Sequence, residues 1–135
     1  VAVDRKIEPN SQIAWCDQNR LQQVLVNLIG NAIDAMAGQD ERRLTFAIEP
    51  AVADRLALSV TDSGCGFAPG TVDRLFEPFF TTKESGEGLG LGLAISRDIL
   101  RDFGGDLLAE AAPDGGARFI VLLPRFDPEK SRGMP

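Results

Sequence analysis

The sequence predicts a two-layer α/β sandwich, with two helices packed on one face of a mixed, mainly antiparallel sheet. Three observations lead there. A long segment from Asp17 to about Met36 carries apolar residues at helical spacing, two pairs of short runs alternate apolar with polar residues, and a second helical pattern lies between those pairs. The chain has 135 residues, enough for one core of ordinary size, assigned to residues 1–124 with a polar, proline-containing tail over 125–135.

Val1 to Ile7 alternates weakly and reads as an edge strand, closed by Pro9, Asn10 and Ser11. Asp17 is a good N-cap for a helix of roughly 20 residues, about 30 Å long, that stops at Gly38. Leu44 to Glu49 and Leu56 to Asp62 read as an antiparallel pair joined by a short acidic turn. From Ala68 to Gly92 the composition shifts to glycine, proline, threonine and charge, which predicts a long mobile segment with a helical turn around Thr71 to Leu75. Leu91 to Phe103 returns to helical spacing and stops at Gly104-Gly105. Asp106 to Ala111 and Ala117 to Leu123 then form a second strand pair around Asp114-Gly115-Gly116, and Pro124 ends the sheet.

The net charge of −6 argues against a protein whose partner is the phosphate backbone of nucleic acid. No apolar run approaches the roughly 20 residues that span a bilayer, and the first residues lack the order of a signal peptide. The segment is therefore expected to be soluble and cytoplasmic, without membrane contact of its own. Cys16 and Cys65 show no CxxC spacing and the chain has no histidine, so reduced thiols are expected rather than a zinc site.

On the first helix Gln23, Asn27, Asn31 and Asp34 fall within an arc of about 80°, opposite Leu21, Val24, Leu25, Leu28, Ala32 and Met36. A solvated surface would also be polar, but it would favour Lys and Glu over asparagine, a poor helix former used here twice. Asparagine carbonyls four residues apart can face one hard cation such as Mg²⁺, which prefers oxygen ligands. Asp62 closes an apolar strand and is followed by Gly64 and Gly66, which permit either a plain turn or close approach of a flat ligand whose amino group the carboxylate would accept from. Phe76, Phe79 and Phe80 bracket Pro78 and precede Thr81-Thr82-Lys83, a loop anchor that could also carry a movable cation. Gly88, Gly90 and Gly92 open the second helix, whose free N–H groups suit an anion. Neither the Gly-Lys-Ser/Thr of a P-loop nor Rossmann spacing is present.

Asn27-Leu-Ile-Gly-Asn31-Ala, Asp62-Ser-Gly64-Cys-Gly66, Phe76-Glu-Pro-Phe79-Phe80 and Gly88-Leu-Gly90-Leu91-Gly92-Leu follow one another in an order that resembles the catalytic ATP-binding (Bergerat-fold) domain of two-component sensor histidine kinases. The resemblance covers roughly Ile7 to Pro124, and its spelling is most similar to dicarboxylate- or nitrogen-sensing kinases. It implies a cofactor pair of ATP and Mg²⁺. Asn31 would be the magnesium ligand, and Asn27, Asn31 and Lys83 would serve the transfer. Asp62 would read the exocyclic amine of adenine over Gly64 and Gly66. Thr82, Lys83, Gly88, Gly90, Leu91 and Gly92 would line the phosphates. Hydrolytic relatives in the superfamily carry a glutamate where Asn27 stands, and an amide cannot accept a proton at neutral pH, so transfer is favoured over hydrolysis. One departure is Ala117, where many relatives carry a hydroxyl near the adenine.

With no histidine in the chain, the resemblance implies an acceptor on a separate dimerisation domain of the same parent kinase, which would in turn serve a response regulator. The parent could be anchored in the inner membrane. Two alternatives share the fold, an anti-sigma-type serine kinase and a regulatory module that senses ATP without transferring phosphate.

Overall fold

The computed structural model describes residues 2–7, 17–52, 55–67, 70–77, 92–113 and 115–124. In chain order the elements are β1 (Ala2–Ile7), α1 (Gln18–Ala35), β2 (Arg43–Ala51), β3 (Arg55–Asp62), a 3₁₀ turn (Val72–Arg74), α2 (Gly92–Asp102), β4 (Asp106–Ala111) and β5 (Ala117–Pro124). The strands form one sheet in the order β1-β2-β3-β5-β4. β1 runs parallel to β2, and every other pairing is antiparallel, so the mixed, mainly antiparallel sheet expected from the sequence is present.

Asp17 caps α1 as expected, its side chain accepting from the N–H groups of Asn19 and Arg20, at 3.0 and 3.3 Å. The helix closes at Met36, and Gly38 takes φ +80°, the left-handed conformation that glycine adopts without strain. β2 runs two residues past its expected end at Glu49, through Pro50 to Ala51. The proline is tolerated because β1 pairs only as far as Ile48, so no partner among the described residues on that side asks for the missing N–H.

Both helices lie on one face of the sheet. Val24 and Leu28 from α1 meet Ile99 and Leu100 from α2 over Leu107, Phe119, Val121 and Leu123, while Ala32 and Met36 close over Leu44 and Val60. The sheet residues in these clusters are register partners or alternate along their strands, as period-two patterning requires: Val60 opposes Phe119 and Leu107 opposes Val121. α1 and α2 run antiparallel, for Arg20 bonds Asp102 at 2.6 Å while Asn27 bonds Ser96 at 3.2 Å. That direction brings the first turn of α2 beside the middle of α1, where the polar stripe lies.

Candidate functional site

Three short segments meet at the end of β3. Asp62 is its last residue and is 4% exposed. Its Oδ1 accepts from the Gly64 N–H at 2.9 Å and from the Ala117 N–H at 3.3 Å. Its Oδ2 has no donor among the described residues. A buried carboxylate oxygen with no partner is costly, so this atom needs a donor from a ligand or from water.

The turn after Asp62 is fastened on three sides. Toward β2, Ser63 donates its N–H to the Arg43 carbonyl at 3.1 Å, and its hydroxyl accepts from the Arg43 N–H at 2.8 Å. Toward α1, Cys65 donates its N–H to the Ala35 carbonyl at 3.3 Å, and a Cβ on Gly64 would stand 2.5 Å from that same oxygen. Toward the β4–β5 hairpin, a Cβ on Gly66 would overlap the Gly115 carbonyl oxygen and one on Gly116 would overlap that of Asp62. Gly66 also takes φ +74°, so it is required by both conformation and space. The two glycines that the sequence marks, Gly64 and Gly66, thus permit contact with the protein's own backbone on both sides and hold Asp62 in a fixed pose. Phe67 comes next, edge-on to Phe119 with ring centroids 5.8 Å apart.

On α1 the expected stripe divides by depth. Gln23 and Asp34 are exposed, whereas Asn27 and Asn31 are half-buried. Asn27 lies against α2: its Nδ2 donates to Ser96 Oγ at 3.2 Å, and a Cβ on Gly92 would come within 2.6 Å of its Oδ1. Gly92, the last glycine of the run, thus leaves room for the observed pose of the Asn27 side chain, which a Cβ there would force to shift. Asn31 sits one turn further, about 6 Å along the α1 axis, past the described start of α2. Among the described residues no group of three or more histidine, cysteine, aspartate or glutamate side chains could hold a metal ion, so a cation here would depend on amide oxygens and on its ligand.

Behind the first turn of α2, Arg97 stands with its guanidinium 4.6 Å from the centre of the Phe76 ring and its Nε 3.2 Å from Asp106 Oδ1. Arg101 reaches the same oxygen at 3.1 Å. Partial burial alone would raise the Asp106 carboxyl, but the Leu107 N–H and the two guanidiniums outweigh it and hold it below the ordinary value of 3.8. Phe76, the first residue of the aromatic motif, is in this way tied to α2 and β4.

The structure brings together Asp62, Gly64 and Gly66 at one end of β3, and Asn27 with Gly92 between the helices. Thr82, Lys83, Gly88, Gly90 and Leu91, with Phe79 and Phe80, lie outside the described residues, as do Cys16 and the 125–135 tail. Two contributions escaped the sequence reading, although it marks Ala117 as a position near the adenine. The Ala117 N–H supports Asp62 through the backbone and has no side-chain signature. Ser96 is 3% exposed and carries a signal only once the fold is known, as a hydroxyl one turn after Gly92 on the face toward α1.

Comparison with known proteins bears on the family and the fold. The family model described as histidine kinase-, DNA gyrase B-, and HSP90-like ATPase matches residues 16–127. Sensor protein FixL of Bradyrhizobium diazoefficiens is 41% identical over 121 residues, covering 90% of this chain and 24% of that protein. The C4-dicarboxylate transport sensor protein DctB of Rhizobium meliloti is 40% identical over 122 residues, covering 90% of this chain and 19% of DctB. The chain thus spans a quarter or less of these relatives. Among solved structures, the catalytic domain of histidine kinase ThkA superposes with a TM-score of 0.78 at 31% identity, covering 92% of this chain and 78% of that one. Full-length ShkA in complex with AMPPNP superposes with a TM-score of 0.76 at 28% identity, covering 92% of this chain and 25% of ShkA.

Proposed function

This chain belongs to the histidine kinase-, DNA gyrase B- and HSP90-like ATPase family, and from that premise we propose that it is the catalytic domain of a sensor protein-histidine kinase. Membership makes it an ATP-binding domain. The observation that carries the finer reading is the buried Asp62 carboxylate, with one oxygen locked by two backbone donors and the other left to receive a donor. An exocyclic amine, as on adenine, supplies that donor; guanine presents an oxygen at the corresponding position and is rejected.

The α1 stripe supports transfer rather than hydrolysis. Asn27 occupies the face that meets the first turn of α2, and an amide there cannot take a proton from water. Asn31 offers its carbonyl to Mg²⁺, which when bound neutralises charge on the triphosphate. Thr82, Lys83, Gly88, Gly90, Leu91 and Gly92 complete the phosphate side in this proposal. Since phosphoryl transfer depends chiefly on positioning and electrostatics, the domain needs no covalent residue of its own.

The acceptor is a histidine on a separate dimerisation domain of the same parent protein, because the chain contains none. A response regulator acts downstream. In this reading the domain works in the cytoplasm, where ATP is supplied; among the described residues no helix is long and apolar enough to cross a membrane.

The test is to incubate the chain with γ-labelled Mg-ATP and a separately purified histidine-bearing acceptor domain. Label should accumulate on the acceptor and vanish when the acceptor histidine is replaced. Release of inorganic phosphate at the same rate with and without acceptor would refute the kinase assignment.

A further inference from the structure

We propose that Ser96 is a positioning residue, which holds the Asn27 amide so that its nitrogen is engaged within the helix pair and its oxygen faces the nucleotide; this rests on the nucleotide reading above. Ser96 and Asp62 are the two buried polar side chains among the described residues. The backbone donors to Asp62 occupy only its Oδ1, within the adenine side of the site, whereas Ser96 has a single side-chain partner among the described residues, the Asn27 Nδ2 at 3.2 Å. Ser96 is only 3% exposed and Asn27 half-buried, so the bond is partly shielded from competing water, which favours its persistence.

The surroundings of Asn27 add a second restraint. A Cβ on Gly92 would stand 2.6 Å from the amide Oδ1, 3.0 Å from Nδ2 and 3.1 Å from Cγ, so the side chain lies along the first turn of α2 in a pose that a side chain at residue 92 would force to shift. A hydrogen on carbon facing the nearer amide atom suits an oxygen and not an NH₂ group. Ser96 lies four residues after Gly92, on the same helix face and one turn below it, so Ser96 engages the amide nitrogen while Gly92 lies against the whole amide, nearest its oxygen. Oδ1 has no donor among the described residues, which leaves it to accept from a ligand or from metal-bound water. An amide turned over would present a donor to the same place and repel a hydrated cation.

A serine that merely tied α1 to α2 would affect stability alone, so the test separates the two roles. Wild type, Ser96→Ala and Ser96→Thr are compared by urea unfolding, by NMR exchange of the Asn27 side-chain amide protons, by ATP titration with and without Mg²⁺, and by transfer to the histidine-bearing acceptor domain. In Ser96→Ala the Asn27 amide protons should exchange about tenfold faster and transfer at saturating Mg-ATP should slow about tenfold, the KM for ATP changing less than about twofold, as loss of one shielded bond implies. Ser96→Thr, which keeps the hydroxyl, should stay within about threefold of wild type in each. Unchanged amide exchange in Ser96→Ala, or transfer equal to wild type in the folded variant, overturns the proposal. Should wild type bind Mg-ATP yet transfer nothing, the kinase reading fails by itself. Ser96 is then judged by amide exchange alone, and exchange in Ser96→Ala equal to that of wild type overturns the proposal.

Discussion

The substitution Asp62→Asn changes one atom at the centre of the site while keeping its shape, and the two backbone donors decide how the new amide sits. Its carbonyl will stay where Oδ1 now accepts from Gly64 and Ala117, since turning the amide over would set an NH₂ group against two N–H donors. The NH₂ group then takes the place of Oδ2 and faces the incoming amine donor to donor. Loss of the charge-assisted bond with the ligand costs about 2 kcal/mol, or roughly a thirtyfold rise in Kd. Linked stabilisation provides the assay: at an ATP concentration of about 100 times the wild-type Kd, ATP should stabilise wild type by about 2.7 kcal/mol and the variant by only about 0.9 kcal/mol. The variant without ATP should lose about 1 kcal/mol, because its two backbone bonds become neutral ones. Equal stabilisation of both proteins by ATP would refute the role given to Oδ2, whatever the fate of the apo stability.

Gly116→Ala should be more damaging to the fold than its size suggests, since the new methyl must displace the Asp62 carbonyl. A loss of about 1–3 kcal/mol in urea unfolding is expected, together with weaker ATP binding as Ala117 is drawn off Asp62. Asp17→Ala removes the cap of α1 and should cost about 1 kcal/mol in unfolding free energy while leaving ATP affinity unaltered. Asp106 contributes pH-dependent stability: its folded-state carboxyl is held below 3.8, so the contribution is complete above that value and disappears as pH falls through the lower folded-state value. The stability gap between wild type and Asp106→Asn should accordingly close on acidification below about pH 4 in unfolding series, and a gap independent of pH would contradict it.

Much of the frame was legible because local signals agree with the global fold. Asp17, Gly38 and Gly104-Gly105 mark the helix ends within a residue or two, and alternation finds both antiparallel pairs. The expected turn at Thr71 to Leu75 is the 3₁₀ turn Val72–Arg74 with its two flanking residues. What the sequence could not supply is neighbourhood across long separations. Nothing in Val1 to Ile7 says that it pairs parallel with β2, and nothing in the second hairpin says that β5, not β4, lies beside β3. The same limit applies at the site. Asp62 and its glycines stand out because a side chain and two special backbones coincide within five residues. The Ala117 N–H joins them from 55 residues away and Ser96 meets Asn27 across 69, pairings that only the folded sheet and helix layer create.

Everything proposed for this chain depends on an ATP site read by Asp62 and served by Mg²⁺. Calorimetric titration of the chain with ATP and with GTP, each with and without Mg²⁺, tests it most directly. ATP should bind saturably and more tightly with Mg²⁺, with GTP at least about tenfold weaker for want of the amine. Equal affinity for the two nucleotides, or ATP binding indifferent to Mg²⁺, would contradict it.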